Sequence, residues 1–116
     1  MNNELKVSRL LKDLGVSAGL SGYHFLKYSI CSALENAELL EYTTRKLYPL
    51  VARHFNKTVN MVERGMRHAI ETGWVEADYD LSIEIFGNSV RSHKGCPTNS
   101  QFIATLVDYI QMTQEE

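Results

Sequence analysis

Arg64, Arg67, His68 and Glu71 recur at i, i+3, i+4 and i+7 in the stretch "NKTVNMVERGMRHAIETGW" between Asn56 and Trp74. On a helix that spacing gathers them on one face. Two guanidinium groups and an imidazole on one face suit nucleic acid: phosphates attract the cations, and an arginine bonds bidentately to guanine. Glu63 nearby is no contradiction, because a carboxylate accepts from the cytosine amino group. Lys57, Thr58 and Asn60 stand at the expected helix start, where unpaired amides and the helix dipole favour a phosphate. A solvated outer face would carry the same residue types, with Arg67 paired to Glu63 or Glu71 one turn away. Spacing alone leaves both readings open.

Charge placement sharpens the question. The 116 residues carry a net charge of −2, which by itself argues weakly against nucleic acid. Between Thr43 and Ile70, however, Arg45, Lys46, Arg53, Lys57, Arg64 and Arg67 face Glu63 alone, a local charge of +5. The other residues hold the balance of −7. The whole-chain figure therefore hides a basic patch, to which His54 and His68 add below neutral pH.

Enzyme chemistry finds little support. His24, His54, His68 and His93 have no partners at metal-ligand spacing. Glu35, Glu38 and Glu41 read as a solvated helix face, and no Gly-rich phosphate loop is present, so no cofactor and no catalytic set is expected. Cys31 and Cys96 match no metal spacing; Cys31 reads as a buried thiol and a disulfide is not expected. No apolar run approaches the roughly 18 residues of a membrane span. The N-terminal residues are too polar for a signal peptide. The expectation is a cytoplasmic protein with no membrane contact, residues 1–116 forming a single domain.

Helical periodicity dominates the elements that must position the basic face, and an all-α fold is predicted. Val7, Leu10, Leu11 and Leu14 share one side of a short first helix that Gly15 stops. Ser21 is expected to cap a second helix, with Tyr23, Leu26, Ile30, Ala33 and Leu34 inward. "YTTRKLYPLVARHF" offers Thr43 or Thr44 as a cap; Pro49 either kinks that helix or marks its true start. The next helix begins with Thr58 or Asn60 as cap, Asn60 with Glu63 forming a capping box. Val62, Met66, Ala69 and Ile70 face the core, and Trp74 anchors the end. A short helix or irregular segment surrounds Leu81, Ile83, Ile85 and Phe86, the last three read as core. "RSHKGCPTNS" is a loop, and Thr98 or Ser100 starts a last helix. Two helices joined by three or four residues fit a helix-turn-helix, whose second helix enters the major groove.

"LYPLVARHFNKTVNMVERGMRHAIETGW", with "FGNSV" and "KGCPTNSQFIA" after it, resembles the C-terminal effector domain of the stage-zero sporulation protein A family, the master sporulation response regulators. The resemblance runs from about Leu10 to Ile110, and its most specific pieces are "LYP", "VER" with "RHAIE", the tryptophan and "PTNS". It implies a domain of about six helices containing a helix-turn-helix. Such a domain binds short double-stranded promoter boxes, activating some genes and repressing others within a two-component system. Glu63, Arg64, Arg67 and His68 match the family's DNA-reading positions. Arg64 and Glu63 are then assigned to base edges, Arg67 and His68 to phosphates. Where the family carries an arginine just before "VER", this chain has Met61, which cannot bond guanine but can touch a thymine methyl. Cys96 takes the place of a basic residue beside the loop proline, leaving Lys94 as the nearest candidate for backbone contact.

The resemblance also places the family's contact with the RNA polymerase sigma factor in the segment after Trp74. From Glu71 to Glu84 the chain carries five acids, Glu71, Glu76, Asp78, Asp80 and Glu84, and no base, and Glu76, Asp78, Asp80 and Glu84 are the candidates for that contact. A complete family member carries a phosphorylatable receiver domain, for which these 116 residues leave no room. DNA binding without that switch is expected, weak for a single copy and recovered by self-association on tandem boxes. The alternative is a helical protein-protein interaction module that keeps the fold and has lost DNA reading, suggested by Met61 and the overall acidity.

Overall fold

Apolar residues at helical spacing bury along one side of each element in the computed structural model, which describes residues 3–87 and 95–114. Six α-helices form among the described residues. α1 (Asn3–Asp13) buries Val7, Leu10 and Leu11. Gly15, at φ 84°, turns the chain after it in the left-handed region that favours glycine, as predicted. α2 (Ser21–Glu35) buries Tyr23, Phe25, Leu26, Ile30 and Ala33 and packs against α1, α4 and α6. Ser21 does not cap it. Leu20 occupies the cap position without a side-chain bond, and the first turn closes through the Tyr23 N–H onto the Leu20 carbonyl at 3.1 Å.

The segment before Pro49 departs from the single helix expected there. A 3₁₀ stretch (Ala37–Tyr42) leads into one wide π-type turn (Thr43–Leu47), and α3 (Tyr48–Phe55) starts only at the proline. Proline has no N–H for the carbonyl four residues back, so the regular ladder cannot run through it, and it sits comfortably in a first turn. The cap position of α3 is therefore Leu47, without a side-chain bond, and neither Thr43 nor Thr44 fills it. α4 (Val59–Trp74) follows, with Val62, Met66, Ala69 and Ile70 buried as expected. α5 (Tyr79–Phe86) is short. Leu81, Ile85 and Phe86 pack half-buried against the core, while Ile83 is half-buried outside that cluster. α6 (Asn99–Gln114) closes the core with Phe102, Ile103, Leu106, Val107 and Ile110. Thr98 and Gln101 begin it reciprocally: the Gln101 N–H donates to Thr98 Oγ1 at 3.2 Å and the Thr98 N–H to Gln101 Oε1 at 3.0 Å.

Candidate nucleic-acid interface

α3 and α4 are joined by Asn56, Lys57 and Thr58. Asn56 takes the left-handed conformation, φ 58° and ψ 49°, and the Lys57 N–H reaches back to the Ala52 carbonyl at 2.9 Å. This is a Schellman ending, with asparagine in the place glycine often fills. Thr58 then caps α4, its Oγ1 accepting from the Met61 N–H at 3.1 Å. Of the two expected caps Thr58 is the one used. The tight turn starts the helix at Val59, so Asn60 lies inside the first turn and forms no capping box with Glu63.

The outer face of α4 carries Asn60, Met61, Arg64, Arg67 and His68, all exposed. Arg67 Nη1 donates to Glu63 Oε2 at 2.7 Å, an ion pair one turn apart. Arg64, at the centre of the face, makes no ion pair among the described residues. Lys57 and Arg53 are exposed at the turn. Lys46, also within the basic patch, is instead held by Glu38 at 3.2 Å and lies over the Tyr42 ring. His54 stacks on Tyr28 with ring centroids 3.9 Å apart, which ties the end of α3 to α2. Lys94 lies outside the described residues.

Asn99 organises the back of the interface, a role no sequence pattern assigned to it. Buried at the start of α6, it donates through Nδ2 to the Tyr48 hydroxyl at 3.2 Å and to the Glu63 carbonyl at 3.0 Å. Burial is the main cause that pushes the Tyr48 hydroxyl above its ordinary pKa; the Asn99 bond opposes it, Glu63 adds to it and Arg67 subtracts. Burial, and then Glu71, likewise push up the Cys96 thiol nearby. The Cys31 thiol, half-buried rather than fully enclosed, is raised first by desolvation. Both cysteines are free. Thus "LYP", "VER" and "PTNS", far apart in sequence, meet at one side chain.

The model of the family described as sporulation initiation factor Spo0A, C-terminal, matches residues 7–110. The chain belongs to this family. A Spo0A C-terminal domain is a DNA-binding effector domain of a sporulation regulator, and the family is a regulatory one rather than an enzyme family. The all-helical fold and the helix-turn-helix of α3 and α4 agree with that membership. In this Spo0A-type domain no helix among the described residues is long and apolar enough to cross a membrane.

The acidic segment after Trp74 divides by role. Asp78 Oδ1 caps α5 by accepting from the Leu81 N–H at 3.0 Å. Glu84 Oε2 accepts from the Tyr109 hydroxyl at 2.6 Å. Glu76 and Asp80 are exposed and make no ion pair among the described residues. Beside them Val75 and Tyr79 are large apolar residues turned outward. Trp74 is buried against Phe86, centroids 5.2 Å apart, and so anchors the end of α4 as predicted.

Proposed function

We propose that the domain controls sporulation-type genes by laying α4 in the major groove of promoter boxes. Arg64 reads a base edge. Arg67, His68 and Lys57, with the amides at the start of α4 beside Thr58, hold phosphates. Glu63 keeps Arg67 oriented through Oε2 and can still offer its other oxygen to a base edge. The observation that carries this reading is the exposed Arg64 at the centre of α4's outer face, which makes no ion pair among the described residues. Glu76 and Asp80, with Val75 and Tyr79, form the surface for a basic segment of the RNA polymerase sigma factor. Neighbouring copies on tandem boxes supply the affinity a single copy lacks.

Titration of a fluorescent duplex carrying the family's box, beside a scrambled duplex, at low and moderate salt tests the reading. The expected result is preference for the box, lost in Arg64→Ala. No binding to either duplex at low salt would instead make the domain an interaction module.

A further inference from the structure

We propose that the first turn of α4 selects an A·T pair, with Met61 against the thymine methyl and Asn60 on the adenine edge, next to the guanine that Arg64 reads. The inference rests on the DNA-reading role of α4 and adds the base preference of its leading turn. At 3.6 residues per turn, Asn60 and Met61 project on either side of Arg64, one turn ahead of it. In a helix-turn-helix the N-terminal residues of the second helix meet base edges.

Two observations single out this pair. Met61 is 50% exposed, a large apolar side chain on an otherwise polar outer face. It cannot donate to guanine, and it makes a good apolar contact with the one apolar group in the major groove, the thymine 5-methyl. Asn60 is exposed, and its carboxamide makes no hydrogen bond among the described residues, because Thr58 has taken the cap. A carboxamide free to present both a donor and an acceptor matches adenine N7 and N6. The cap fixes the Met61 amide to Thr58, so the turn that carries both side chains is set before DNA arrives. Thymine and adenine are the two halves of one base pair, so the side chains make a single consistent demand.

The test starts from duplexes selected by the intact chain out of a randomised pool. Each thymine of the selected site is then replaced by deoxyuridine, which removes only the methyl group. One thymine, adjacent to the guanine whose importance disappears in Arg64→Ala, should weaken binding about four-fold when its methyl is lost, the ratio expected for one methyl's worth of buried apolar surface. In Met61→Ala the same replacement should have no effect. Met61→Arg should move the preference at that position toward G·C, and Asn60→Ala should relax it. Both side chains are exposed, so circular dichroism should show the wild-type fold in every variant. A selected, Arg64-dependent site with no Met61-dependent methyl effect overturns this inference and leaves the DNA-reading role standing. A pool that yields no enriched site overturns the DNA-reading role itself.

Discussion

Removing the Asn99 carboxamide would take a donor from the Tyr48 hydroxyl and from the Glu63 carbonyl at a buried place. Asn99→Ala should lower stability by about 1–3 kcal/mol, the cost of leaving buried polar groups short of a partner. A drop in the thermal midpoint, with weaker binding to the box, would show it; an unchanged midpoint would remove Asn99 from the account. Tyr48 gives a second prediction at this scale. Its folded-state pKa is raised, chiefly by burial. The stability linked to its protonated hydroxyl is therefore whole below its unfolded-state value. It is lost as pH rises through the folded-state value. Denaturant midpoints measured from neutral to strongly alkaline pH should fall less steeply in Tyr48→Phe than in the wild type. At neutral pH the variant should lose about 1 kcal/mol with its hydrogen bond. Parallel alkaline limbs in the two proteins would contradict the assignment.

At the scale of elements, α2 and α4 approach each other through two glycines, Gly22 and Gly65. A Cβ on Gly22 in α2 would run into the Gly65 carbonyl of α4 and come within 2.7 Å of the Ala69 Cβ. The obstacle is largely backbone, so one helix has to move. Gly22→Ala should cost about 1–3 kcal/mol from overpacking and weaken box binding by shifting α4; calorimetry and the duplex titration read the two effects. Thr58→Ala should cost about 1 kcal/mol as a lost cap, and an unaltered midpoint would mean that another group takes the Met61 amide. These features mark how far the sequence could be read. Helical stripes with strong periodicity, the core face of α4 and the turn before it were legible, because side-chain spacing follows directly from helix geometry. The 3₁₀ and π turns ahead of Pro49 were not, since a proline announces a break but not how the chain reaches it. Nor was the bridge from Asn99 to Tyr48 and Glu63: its partners lie 51 and 36 residues away, and local pattern holds no record of distant pairing. Gly22 and Gly65 stood inside helical patterns, where an isolated glycine signals close packing, but the pattern does not say which helix comes near.

At the scale of the whole molecule, α4 joins two surfaces of opposite character. At roughly 1.5 Å per residue, Arg64 lies about 15 Å along α4 from Trp74 and Arg67 about 10 Å. Arg64 is thus beyond the roughly 10 Å screening length at 0.1 M salt and Arg67 close to it, so the acids offset the positive potential of the patch only in part. Two consequences separate cleanly. Arg67→Ala should flatten the dependence of log affinity on log salt by about 0.9 if its guanidinium neutralises one phosphate; an unchanged slope would return Arg67 to a plain solvated pair with Glu63. Glu76→Lys with Asp80→Lys, by contrast, should leave box preference in place and abolish binding to purified sigma factor. Neither carboxylate caps a helix or forms an ion pair among the described residues, so the double variant should fold as the wild type does. Anisotropy with labelled sigma factor and with labelled duplex reads both arms. Sigma binding that survives the charge reversal would move the partner surface away from the end of α4. Loss of DNA binding in the same variant would mean that the two ends of the helix are not independent.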